Sequence, residues 1–197
     1  MRPPADGEDA ELFVERAREA AALGPFGHHT HWTSPTHARP TRPDPAGAVR
    51  REGAWLRAQG LEPRFFCGGG WYTDAEVMGA VADLGYADST ATAWRPSYLP
   101  PGAERAALDE PAWIRLGDGR RVLELPTTHS LGAAAKAVLG PLPRVVHVHF
   151  HDYELLEGRR RAAIGVTLAL LARRRRAVSL DDLDADREVD WSDVCAG

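Results

Sequence analysis

Leu61-Glu62-Pro63-Arg64-Phe65-Phe66-Cys67-Gly68-Gly69-Gly70, followed by a helix-like run over 74–84 and by Gly85-Tyr86, is the stretch that decides the fold class. Residues 63–67 read as a short apolar strand that three glycines break off. Residues 74–84 follow as a helix, with an acid at the start and Gly85 just past the end. Residues 86–93 read as the next strand. Strand, glycine turn, helix and strand in this order form a unit whose two strands run parallel.

The same alternation extends outward on both sides. Upstream, residues 9–23 carry apolar side chains at helical spacing and stop at Gly24-Pro25. A short strand over 26–32 then runs into a proline-rich segment from Thr33 to Pro43, which suits neither helix nor central strand. Residues 44–59 form a second helix, with Asp44 at its start and Gly60 behind it. Downstream come a strand over 122–125, a helix over 131–139, a strand over 145–150 and a helix over 159–175. This regularity predicts an α/β domain with a parallel sheet and covering helices, either open or curled into a barrel. One domain over 1–197 accounts for the length, with 1–10 disordered and 185–197 a C-terminal tail.

Composition narrows the function classes. The chain has 197 residues, 44% of them hydrophobic and 26% charged, with a formal net charge of -4. That balance argues against a nucleic-acid partner, which favours a basic surface. The run Arg173-Arg174-Arg175-Arg176 reads as a helix end. The N-terminus carries acids where a secretory signal is apolar, and the longest apolar run, 162–172, is too short to span a bilayer. Only two cysteines occur, Cys67 and Cys195, so there is neither a disulfide framework nor a cysteine-based zinc motif. A cytoplasmic protein without a membrane partner is the expectation.

Chemistry concentrates in the histidines. All eight fall in three places: His28, His29, His31 and His37; His129; and His147, His149 and His151. Imidazole is the commonest metal ligand and acid–base group, so the clustering marks a candidate site. In Val145-Val146-His147-Val148-His149-Phe150-His151-Asp152, a strand period of two puts the three histidines on one face. His151 falls at the strand's C-terminal end, where a barrel carries its catalytic groups. The alternative for His147 and His149 is a place in the core.

Taken together, His29-Thr30, Arg64-Phe65-Phe66-Cys67-Gly68, Leu84-Gly85-Tyr86 and Phe150-His151-Asp152 resemble the polysaccharide deacetylase family, the nodulation-protein-B-like carbohydrate esterases, over about residues 12–183. The resemblance implies a distorted (β/α) barrel, here incomplete. It also implies a divalent metal, most often zinc, held by one Asp and two His. By it, His29 is the first histidine ligand, and His31 or His37 is the second. Arg64 orients the catalytic aspartate, backbone N–H groups around Cys67 hold the oxyanion, and His151 is the general acid. Trp71 and Tyr72, with Trp32, Trp94 and Tyr98, suit stacking on a sugar ring. Asp88 falls where the family places a strand-end acid.

Four departures accompany the resemblance. Thr33 stands where the second histidine ligand is expected, Phe65 and Phe66 replace two prolines, and Cys67 takes an aromatic place. The family's opening strand with paired aspartates has no counterpart here, since Asp6, Glu8 and Asp9 lie in a polar run. The chain therefore reads as starting after the first strand and helix. Two functions of different classes follow. One is a metal-dependent hydrolase removing an acyl group from an N-acylated sugar or cleaving a related non-peptide C–N bond. The other is a degenerate barrel that binds metal or carbohydrate without turnover. Loss of the first strand leaves a sheet edge open, which makes a homodimer plausible. A plain structural domain with incidental histidines is the third reading.

Overall fold

A computed structural model of the chain describes residues 1–32, 43–97, 99 and 101–196. The chain divides into two compact units, Met1–Pro126 with Ser179–Gly197, and Thr127–Val178. The fold is mixed α/β with a mostly parallel sheet, as the strand–helix alternation implies.

In the first unit the helices start and stop on chemistry visible in the sequence. α1 (Ala10–Ala21) is capped by Asp9, whose side chain accepts from Leu12 N, and it buries Val14 and Ala17. β1 (Gly27–Thr30) follows. α2 (Pro45–Ala58) starts with proline in its first turn behind Asp44, whose side chain accepts from Gly47 N. β2 (Phe65–Gly68) leads through the glycines to α3 (Ala75–Leu84), which is capped by Asp74 and ended by Gly85 at φ 69°. β3 spans only Ala87–Asp88, not 86–93, because Asp88 turns the chain: its Oδ1 accepts from Ser89 N, Thr90 N and Thr90 Oγ1. β4 (Arg105–Ala106), β5 (Ala112–Arg115) and β6 (Arg121–Glu124) complete the run before the second unit.

The second unit contains β7 (His129–Ser130), α4 (Leu131–Ala137), β8 (Val148–His149), α5 (Asp152–Leu156) and α6 (Gly158–Ala172). β7 and β8 pair in parallel. Ala134, Val138 and Leu171 form its buried cluster, with Leu142, Val146, Val148 and Leu170 against them. The strand expected over 145–150 shrinks to Val148–His149, since β7 offers only His129 and Ser130 to pair with. The chain then returns to the first unit with β9 (Glu188–Asp190), α7 (Trp191–Val194) and β10 (Cys195–Ala196).

The principal sheet has the order β1-β2-β3-β6-β5-β9. β5 runs antiparallel to β6, and the other neighbours are parallel. β5 and β6 form a hairpin around Gly117-Asp118-Gly119, with Gly119 at φ 85° and Gly119 N bonded to Leu116 O. β9 shows that residues 185–197 are not a detached tail: Arg115 on β5 bonds both Glu188 and Asp190. The N-terminus likewise departs from a disordered run. The Met1 amine donates to Gly27 O, and His29 N donates to Met1 O, along the outer edge of β1.

Helices α2 and α3 bury one face of this sheet. Val49, Val77, Met78 and Val81 from the helices meet Phe66, Ile114 and Val122 from β2, β5 and β6, with Trp32 in the same cluster. Each such side chain removed from water stabilises the fold by about 1.5–3 kcal/mol. Among the described residues no helix is long and apolar enough to cross a membrane.

Candidate functional site

Parallel strands β1, β2, β3 and β6 end at the same edge of the sheet, and the register aligns His29 with Cys67, Phe66 with Asp88, and Asp88 with Glu124. Open α/β sheets bind ligands beyond the carboxyl ends of their strands, where chain direction turns loops toward one crevice. His29, Cys67, Asp88 and Glu124 occupy these ends.

Strand alternation divides the first histidine group. His28 turns to the helix side, where it is buried edge-on to Phe66 and Tyr86, with Nε2 3.2 Å from Glu52 Oε2 and 3.0 Å from Thr30 Oγ1. It is a packed core histidine. His29 turns the other way, its Nδ1 2.8 Å from the Cys67 carbonyl oxygen. A carbonyl only accepts, so Nδ1 carries the proton and Nε2 the lone pair. The His31 ring lies edge-on at 4.8 Å between centroids. Burial, then the Met1 ammonium and His31, push the His29 imidazolium down to about 3, so His29 is neutral at physiological pH. A neutral imidazole whose other nitrogen is fixed on a backbone carbonyl is the arrangement metal-ligating histidines use.

His37 and Tyr98 lie outside the described residues. Among the described residues no three His, Cys, Asp or Glu side chains come together as a metal site.

Cys67 sits between these groups. Burial, followed by the Asp88 and Glu124 charges, pushes its thiol up to about 12, which removes it as a nucleophile. Of the backbone donors expected to hold an oxyanion near Cys67, the Gly68 N–H is already committed, donating to Thr90 Oγ1 at 2.8 Å. Gly68 itself permits a close crossing: a Cβ there would lie 2.2 Å from Tyr72 O.

The two aromatic residues after the glycines have different surroundings. Trp71 is half-buried with φ 60°, a left-handed conformation costly for a bulky residue, and its ring meets Trp94 edge-on at 6.2 Å. Tyr72 packs edge-on to Trp32 at 5.5 Å and donates its hydroxyl to Asp74, the cap of α3. Trp71 thus borders the edge, whereas Tyr72 braces the helix start.

Arg64 is not brought to this edge, and His151 belongs to the other unit. Arg64 precedes β2, at the opposite end of that strand from Cys67, where its guanidinium lies 2.7 Å from Asp181. His151 belongs to the second unit, where it is the exposed N-cap of α5, stacked on Tyr153 at 5.0 Å and 3.7 Å from Glu154. That unit gathers the remaining histidines: His129 N donates to His147 O, Ser130 pairs with His149, and the His149 and His151 rings lie 6.4 Å apart. His129, isolated in the sequence, is therefore a neighbour of the 147–151 group.

Glu124 is the buried acid at this edge that sequence reasoning missed. It is fully buried beside the equally buried Asp88, and its Oε1 accepts from Ala91 N at 3.1 Å. The signal was there: a carboxylate inside the apolar strand Val122-Leu123-Glu124-Leu125 is costly unless something holds it.

No family model matches the chain, and no curated protein matches it. Among solved structures, 4-alpha-glucanotransferase from Thermococcus litoralis superposes with a TM-score of 0.47 at 10% identity, over 94% of this chain and 29% of that one. The chain thus spans less than a third of that enzyme's length, and the likeness is too loose to assign chemistry.

Proposed function

We propose that the chain is a hydrolase of the polysaccharide deacetylase type. It removes an acyl group, acetyl in the simplest case, from an N-acylated sugar or a related small C–N substrate at the carboxyl edge of β1 and β2. The observation that carries this reading is the His29–His31 pair, with the His29 tautomer fixed by the Cys67 carbonyl. His29, with His31 or His37 as the second imidazole, is the proposed holder of a divalent ion, zinc by ligand type. A divalent ion there would supply Lewis acidity and would lower the pKa of a bound water. The chain's own part is to keep His29 neutral and oriented, and to present Trp71 to a sugar ring. The six-stranded sheet is, in this proposal, the larger part of a distorted (β/α) barrel. The remaining proposed attributes are a cytoplasmic location, no nucleic-acid or membrane partner, and a homodimer.

A second reading is favoured by a specific observation. The acidic groups at this edge are sealed: Asp88 and Glu124 have no exposed surface, and Cys67 is held as a thiol. With no general base among them, loss of proton abstraction alone costs on the order of 10²- to 10⁴-fold in rate. A protein that binds metal or carbohydrate without turnover fits that arrangement.

Zinc stoichiometry on protein purified without chelator, together with acetate release from N-acetylated chito-oligosaccharides, separates the two. One zinc per chain, lost in His29→Ala and in either His31→Ala or His37→Ala, with acetate released, supports the hydrolase. The same zinc pattern without acetate supports binding alone. Wild-type protein that takes up no zinc overturns the metal site and the hydrolase with it.

A further inference from the structure

The six-stranded sheet consists of two three-stranded halves, β1-β2-β3 and β6-β5-β9. The register pair that joins β3 to β6 is Asp88↔Glu124, supported by Leu125 N donating to Asp88 O at 2.7 Å. The seam of the sheet therefore runs through two acidic residues whose side chains are both fully buried.

Each carboxyl is half satisfied. Asp88 Oδ1 accepts from Ser89 N at 2.9 Å, Thr90 N at 3.1 Å and Thr90 Oγ1 at 2.6 Å. Glu124 Oε1 accepts from Ala91 N. Asp88 Oδ2 and Glu124 Oε2 are buried with no hydrogen-bond partner, and the register pairing sets the two carboxyls side by side on one face of the sheet. Two carboxylates cannot bond each other, because both only accept. A hydrogen bond between them needs one proton, and two bare charges in contact inside the protein would repel strongly.

We propose that Asp88 and Glu124 hold a single shared proton, and that this proton closes the seam between the two halves of the sheet. The proton belongs to the pair and to neither residue alone. The groups facing it are the Ser89, Thr90 and Ala91 backbone N–H donors, the Thr90 hydroxyl, and the Cys67 thiol from β2. Those donors stabilise one negative charge. Cys67, if ionised, adds a like charge and so reinforces the demand for the proton. Removing the proton places two negative charges across one backbone register pair and favours parting of β3 from β6.

The direction with pH follows by linkage. Burial raises both carboxyls above the ordinary carboxylate range, Glu124 the more strongly. The folded protein thus retains a proton that the opened state gives up. Closure is complete at acid pH and weakens as pH rises, until the folded pair has lost its proton.

The test is amide hydrogen exchange of the whole chain at Leu125 and Ala91, corrected for the intrinsic rate, from about pH 5 to pH 9. Wild-type opening constants are expected to rise about tenfold per pH unit. In Glu124→Gln the amide nitrogen donates to Asp88 without a titrating proton, so the rise is expected to vanish while the protein stays folded. Asp88→Asn serves as the mirror variant and is expected to behave alike. Infrared spectra at neutral pH give an independent readout, a protonated-carboxyl carbonyl band present in wild type and absent from both variants. Parallel pH dependence in wild type and Glu124→Gln, or no such band in wild type, overturns the proposal. If Glu124→Gln fails to fold, Asp88→Asn and the wild-type infrared band decide it.

Discussion

Side chains one position apart on β1 have opposite fates, because successive strand residues point to opposite faces. His28 is sealed against α2 and bonded to Glu52, whereas His29 is pinned to Cys67 O and faces His31. The sequence shows the alternation, so the division between His28 and His29 was legible. The fixing of the His29 tautomer was not, because the carbonyl that does it lies 38 residues away. Two outcomes are expected at this scale. In Cys195→Ser protein, native Cys67 is expected to react with a disulfide reagent at mildly alkaline pH about a hundredfold or more slowly than in denaturant, since only the thiolate attacks. Stopped-flow thiol labelling reads this directly. Gly68→Ala drives a Cβ to 2.2 Å from Tyr72 O. It is expected to cost about 1–3 kcal/mol, measured as a shift in the urea midpoint.

At the scale of elements, helices were read far better than strands. α1, α2 and α3 begin behind Asp9, Asp44 and Asp74, and each of these side chains accepts a backbone N–H in the first turn. That chemistry is local and so is written in the sequence. Removing it in Asp74→Ala is expected to cost about 0.5–2 kcal/mol. The same change takes the acceptor from the Tyr72 hydroxyl, so Tyr72→Phe is expected to lessen the cost of Asp74→Ala in a double-mutant cycle followed by thermal unfolding. Strand ends, by contrast, depend on the partner. β8 is short because β7 is short, and β9 exists because β5 offers it a register. The β5–β6 hairpin did carry a local signal, Asp118-Gly119, which the reading of a uniform strand–helix alternation passed over.

For the whole molecule, the two units differ in how much apolar surface they bury. Residues 1–126 with 179–197 enclose a broad core that includes Trp32, Phe66, Met78 and Ile114. Residues 127–178 enclose Ala134, Val138 and Leu171, while Leu139, Leu156 and Val166 stand exposed. Local opening tracks buried contact, so amides of 127–178 are expected to exchange faster than those of β2, α3 and β6 in the intact chain. Hydrogen exchange read by mass spectrometry checks the ordering, and equal protection in both units would count against it.

By itself the sequence determined the α/β class, the order of the main helices and the concentration of histidine, because caps, breakers and periodicity act within a few residues. Tertiary structure alone decided which of the expected groups meet. It set His29 beside Cys67 and His31, held Arg64 on Asp181 at the far end of β2, left His151 in the second unit, and brought Glu124 against Asp88. Those encounters depend on sheet order and register between distant segments, and no local rule along the chain carries that information.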